Sequence, residues 1–119
     1  DARQVLWATD ISVLPSYKEG FPLSTVESML CGAATIRSNT SGAADVITDG
    51  ETGFIVPIGD LETLSKQLAT LINEPARRGA FSHQALTRAL ELFTSEHMTE
   101  QTIGTYSKAL AGYRTSSTQ

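Results

Sequence analysis

Glu19 and Glu27 are the residues whose type and setting suit a polyhydroxy ligand. They bracket the stretch EGFPLSTVE, with seven residues between them. An ionised carboxylate only accepts hydrogen bonds, and it can take two hydroxyls at once. Sugar hydroxyls are the matching donors, and Glu27 is placed to hold those of a ribose. Gly20 carries no Cβ, so a ligand can come close to the main chain there. The following LSTVE reads as a helix start. The first N–H groups of a helix lack partners inside it and form the positive end of its dipole. A diphosphate binds naturally at such a place. The same letters carry a second meaning. Ser24-x-x-Glu27 matches the capping box, in which Glu27 folds back onto the Ser24 N–H, and a loop glutamate such as Glu19 can be merely solvated. Spacing alone leaves both readings open.

Other reactive side chains carry less. His83 and His97 lie far apart, with no cysteine or carboxylate at ligand spacing, so no metal site is expected. Cys31, between Leu30 and Gly32, reads as a packed small side chain, because no histidine lies near it to activate a thiolate. Ser16 and Ser24 have no evident base. Arg37, at the end of an apolar run, can reach a phosphate or an acidic acceptor, but exposed arginine is the commoner case and the surface reading is taken. Trp7 reads as core or domain-interface filling.

The elements that must position these residues follow from periodicity and breakers. Ile11, Val13 and Leu14 suit a buried strand closed by Pro15, with a short helix over Val5, Leu6 and Ala8 before it. After the YKEGFP loop, Ser24 is the expected N-cap of a helix with Val26, Met29 and Leu30 on one face, closed at Gly32. AATIRS (33–38) and GFIVP (53–57) read as two further strands, separated by a brief helix at about 43–48 and a turn at Asp49-Gly50. Strands alternating with helices are the mark of a parallel α/β sheet. From Asp60 onward only helices are expected. Asp60 caps one with Leu61, Leu64, Leu68, Leu71 and Ile72 at three- and four-residue steps. Pro75 occupies the first turn of the next. Thr94 or Ser95 caps a last one with Ile103, Tyr106, Leu110 and Tyr113 on one stripe. In open α/β sheets ligands bind beyond the carboxyl ends of the strands, and the loop over 16–24 lies there.

Composition bounds the function. The chain has 119 residues, 40% of them hydrophobic and 18% charged, and a net charge of -4. That suits one globular domain. No basic stripe is present to neutralise phosphates, so a nucleic-acid partner is not expected; Arg77-Arg78 is the only adjacent basic pair and reads as a solvated helix face. A single cysteine excludes an internal disulfide. No apolar run reaches membrane-spanning length. Neither G-x-G-x-x-G nor G-x-x-x-x-G-K-[ST] occurs, which weakens other phosphate-binding readings. The opening DARQVLWATD reads like mid-domain sequence, and three strands are few for a doubly wound sheet, so a piece of a longer protein is expected.

The order Pro15-Ser16, Glu19-Gly20-Phe21, Glu27, Ser41-Gly42, Asp49-Gly50, Thr52-Gly53-Phe54-Ile55-Val56 and Gly59-Asp60 resembles the C-terminal domain of family 4-like glycosyltransferases of the GT-B fold. The resemblance covers about residues 1 to 113. It implies a Rossmann-like domain with extra C-terminal helices and an N-terminal partner domain that binds the acceptor; the polar RTSSTQ tail over 114–119 is expected from its composition to be disordered. It implies transfer of a hexose, with retention, from a nucleotide-sugar to a saccharide or lipid-linked acceptor. No metal or other cofactor is implied; the nucleotide-sugar is the substrate. By this resemblance Glu19 is the catalytic-site residue on the donor hexose, the N–H groups of Gly20, Phe21, Leu23 and Ser24 face sugar and diphosphate, and Glu27 holds the ribose. A cytoplasmic setting in polysaccharide or glycolipid assembly is implied too, some members working at the membrane face, though no basic amphipathic helix is evident here. Two departures stand out. Pro22 replaces a common glycine and removes an N–H, and Ala34 replaces a common proline. The upstream Arg and Lys that neutralise the leaving diphosphate in this family have no counterpart here. Little or no turnover by the chain alone is therefore expected. The competing reading is a non-catalytic α/β module that keeps the fold only.

Overall fold

The structure is a computed structural model that describes residues 1–116. It contains α1 (Ala2–Trp7), β1 (Ile11–Leu14), α2 (Leu23–Leu30), β2 (Ala34–Ser38), α3 (Ala43–Val46), β3 (Gly53–Val56), α4 (Leu61–Asn73), α5 (Pro75–Leu92) and α6 (Ser95–Ser116). Residues 114–116 continue α6, and the rest of the tail lies outside the described residues.

The three strands pair in the order β1-β2-β3, all parallel. Successive side chains on a strand face opposite sides, and the sheet uses both. Ala34, Ile36, Phe54 and Val56 pack with Leu71 of α4 and Phe81 of α5; Ile11, Val13, Leu64 and Leu68 lie against them. On the other side Val26 and Met29 of α2 pack with Val46, Ile47, Ala85 and Ala89, and Ile55 and Phe93 close the cluster. Helix α5 thus touches both clusters. Burying each of Met29, Ile36 and Leu71 contributes about 1.5–3 kcal/mol.

Local signals in the second half act as expected. Asp60 accepts from the Thr63 N–H (2.9 Å) and the Thr63 hydroxyl (2.6 Å), which caps α4. Pro75 opens α5, and Thr94 Oγ1 accepts from the His97 N–H (3.3 Å) at the start of α6. Arg78 and Arg88 finish two helices from a distance. Arg78 donates to the Leu71 carbonyl (2.9 Å), and Arg88 donates to those of Val46 (2.9 Å) and Asp45 (2.8 Å). Carbonyls left without helical partners are satisfied this way.

Three expectations are corrected. The N-cap of α2 is Pro22, not Ser24, and no side chain caps that helix. The chain leaves the 16–22 loop already turning, so the Thr25 N–H donates to the Pro22 carbonyl at 3.0 Å and Ser24 falls inside the helix. Trp7 is 68% exposed, which excludes the core as its place and leaves the domain-interface reading untouched. Arg37 is not a surface residue: it is 1% exposed, on the central strand.

Candidate donor-binding site

The loop 16–22 joins the carboxyl end of β1 to α2. Its shape is held from several sides. Ser16 Oγ donates to Glu19 Oε1 (2.7 Å). The Phe21 ring meets Phe93 edge-on at 5.7 Å, tying the loop to the end of α5. The Gly20 carbonyl rests against Gly42, where an added Cβ would lie 3.6 Å from it; Gly42 itself has φ 74°, a conformation that favours glycine. Space beside the Gly20 Cα is open.

Main-chain donors gather here. Among the described residues, the N–H groups of Gly20, Phe21 and Ser24 have no intramolecular acceptor. The Leu23 N–H is already used, donating to the Phe21 carbonyl at 3.1 Å. Pro22 has no N–H to offer. The start of α2 therefore presents donors on either side of a proline, at the positive end of the helix dipole.

Ser24 and Glu27 line an open cleft of about 410 Å³ between α1, β1 and α2, with Leu6, Ser12 and Thr25 in its walls. Thr25 Oγ1 is buried without a partner. Ser28 Oγ, hydrogen-bonded to Ser12 Oγ (2.9 Å), fixes α2 on β1 beneath it. Glu27 is exposed, and its carboxylate has no hydrogen bond or ion pair among the described residues. With Ser24 inside the helix, the capping-box contact does not form. Glu19 does not line this cleft; it is half-buried in the middle of the 16–22 loop. Along the chain, a hydroxyl-accepting carboxylate stands on each side of the free main-chain donors.

Sequence reasoning missed Arg37. Its Nη2 donates to Thr40 Oγ1 (2.7 Å), while Nε and Nη1 are buried with no partner. Burial pushes this guanidinium below its ordinary range, and the charge of Glu19 opposes that shift. A basic residue inside an otherwise apolar ATI run was the available signal. His83 and His97 both lie on helices, and among the described residues no group of three or more His, Cys, Asp or Glu gathers at metal-binding distances. No helix among them is long and apolar enough to cross a membrane.

Known proteins resemble this chain in sequence and in fold. The D-inositol 3-phosphate glycosyltransferase of Rhodococcus opacus is 34% identical over 106 residues, 89% of this chain and 24% of that protein. The capsular polysaccharide biosynthesis glycosyltransferase CapM of Staphylococcus aureus is 31% identical over 101 residues, 85% of this chain and 27% of its own length. The chain thus spans about a quarter of these curated relatives. Among solved structures, sucrose-phosphate synthase from Thermosynechococcus elongatus superposes with a TM-score of 0.82 at 29% identity, covering 91% of this chain and 27% of that one. Anabaena HepE, solved in complex with UDP-glucose, superposes with a TM-score of 0.82 at 25% identity, covering 88% of this chain and 29% of that one. Residues 1–88 match the family described as glycosyl transferases group 1, and the chain belongs to that family.

Proposed function

We propose that this chain is the donor-binding part of an enzyme that transfers a hexose from a nucleotide-sugar to a saccharide or lipid-linked acceptor, with retention at the anomeric carbon. The observation that carries the reading is the row of unpartnered N–H groups at Gly20, Phe21 and Ser24, flanked by Glu19 and Glu27. Anions are stabilised where such donors coincide with a helix start, and carboxylates hold hydroxyls. The 410 Å³ cleft beside Glu27 has room for a nucleoside. The diphosphate lies over the start of α2, and the hexose meets Glu19. The HepE complex with UDP-glucose supports a nucleotide-sugar as the ligand.

In the reaction the bond between the anomeric carbon and the diphosphate oxygen breaks, the acceptor hydroxyl oxygen takes its place on the same face, and the hydroxyl proton passes to the departing diphosphate. Negative charge grows on the leaving diphosphate. Preorganised donors aimed at that charge lower the barrier, which is the part assigned to Gly20, Phe21 and Ser24. Glu19 orients the hexose. The acceptor is bound by an N-terminal domain of the parent protein, and the chain alone turns over little or nothing. No metal is needed in this scheme.

The test is a titration of isotope-labelled chain with uridine and guanosine diphosphates, alone and sugar-linked, followed through its amide signals. Saturable shifts concentrated over 19–27 are expected with one of the two bases. An absence of saturable shifts with all four compounds sinks the reading.

A further inference from the structure

We propose that Arg37 is a positioning residue for donor recognition: its buried guanidinium, anchored by Thr40, is the counter-charge that fixes the Glu19 carboxylate toward the hexose. The inference rests on the donor-binding reading above and adds a residue to it.

A guanidinium is always charged and offers five N–H donors in a rigid fork. Taking such a group out of water costs several kcal/mol unless charge and hydrogen bonds compensate. Here one nitrogen is used, by Thr40, and two stay buried without partners. The local structure explains where the compensation must come from. Arg37 pairs in register with Leu14 of β1, the residue that leads into the 16–22 loop. Thr40 lies in the following turn, and Gly42 of that turn carries the Gly20 carbonyl. The two loops therefore meet above the end of the sheet, with Arg37 beneath them. Glu19 supplies the negative charge that acts on the guanidinium.

Glu19 has the capacity to serve two sides. Ser16 occupies Oε1, and a carboxylate retains further acceptor positions on both oxygens. A donor hexose that covers the loop removes water from the carboxylate. A fixed positive charge behind the loop holds the carboxylate's orientation while the ligand replaces its water. A merely structural Arg37 would support the fold and treat all ligands alike.

The experiment measures calorimetric Kd values for UDP and UDP-glucose on the wild-type chain, Arg37→Met, Glu19→Gln and the double variant. The ratio of the two Kd values isolates the hexose contribution. Arg37→Met is expected to leave UDP binding within about twofold and to cut the hexose contribution about tenfold, the range of coupling between neighbouring residues. In the Glu19→Gln background it is expected to add nothing. Arg37→Lys, which keeps the charge, is expected to restore most of the loss. Thr40→Val, which releases the anchor without changing side-chain volume, provides the reading if Arg37→Met does not fold; a hexose loss of about threefold with UDP binding unchanged is expected. Equal weakening of UDP and UDP-glucose, additive losses in the double variant, or a silent Thr40→Val overturns the role of Arg37 while leaving the donor site standing. If the wild type selects guanosine, GDP and its hexose conjugate replace the two compounds; no binding of either pair by the wild type, or a hexose contribution untouched by Glu19→Gln, overturns the donor reading and this inference with it.

Discussion

Replacing Glu27 by alanine separates the two meanings that its spacing from Ser24 allows. If Glu27 closed a capping box, its removal would cost about 0.5–2 kcal/mol of stability. For a domain near this size that lowers Tm by about 4–8 °C per kcal/mol. The structure argues for a much smaller loss. The cap of α2 is Pro22 without a side-chain bond, and the Glu27 carboxylate is exposed with no partner among the described residues. Alanine is also the better helix former. Such a substitution stays within about 0.5 kcal/mol, a Tm change of roughly 2–4 °C. Binding is affected differently. Hydrogen bonds to a charged acceptor contribute about 1.5–3 kcal/mol, so losing the ribose contact weakens nucleotide binding about ten- to hundredfold. Thermal unfolding by circular dichroism and calorimetric titration with UDP read the two quantities on the same sample. A Tm fall above roughly 6 °C, the capping-box scale, with binding no more than slightly weakened, would refute the assignment of Glu27 to the ligand.

Two further outcomes follow from the packing. A Cβ at Gly53 would lie 2.6 Å from the Thr35 carbonyl oxygen and 2.8 Å from its hydroxyl, so Gly53→Ala must push β3 off the central strand. A loss of about 3 kcal/mol is expected from such overpacking, and a denaturant midpoint unchanged from wild type would refute it. Hydrogen bonds from Thr63 hold the Asp60 carboxylate below its ordinary value of 3.8. A lowered folded-state value gives stability that is present above the unfolded value and lost as pH falls through the folded one. Stability should therefore drop below about pH 4, less steeply in Asp60→Asn, as read by urea titrations across pH 2–6; parallel wild-type and variant curves would count against it.

Much of the layout was legible in the chain because it rests on local signals. Asp60, Pro75 and Thr94 start helices wherever they precede an apolar-periodic run, since their effect is confined to one turn. The apolar runs around Val13, Ile36 and Phe54 are strands by the same logic, and their alternation with helices leaves a parallel sheet as the economical arrangement. The EGFPLSTVE stretch could be singled out as the candidate ligand loop because chain order alone sets it beyond the end of β1.

Tertiary structure decided the rest, and in each case the deciding partner is remote. Whether Ser24 caps α2 depends on the direction in which the 16–22 loop arrives, which Phe93 and Gly42 help to fix from more than twenty residues away. Once that direction makes Pro22 the cap, Glu27 is released from the helix start and turned to the cleft. Arg37 stands out in the sequence as a basic residue at the end of a strand, but that signal alone does not say whether it is buried. It is nevertheless 1% exposed, because a side chain's exposure is a property of its neighbours, not of its own letter. The amino-acid sequence by itself determined which segments are strands and helices and which loop bears the carboxylates. Only the folded chain decided which of those carboxylates is free and that a guanidinium on the central strand is buried, because burial and charge act through space rather than along the backbone.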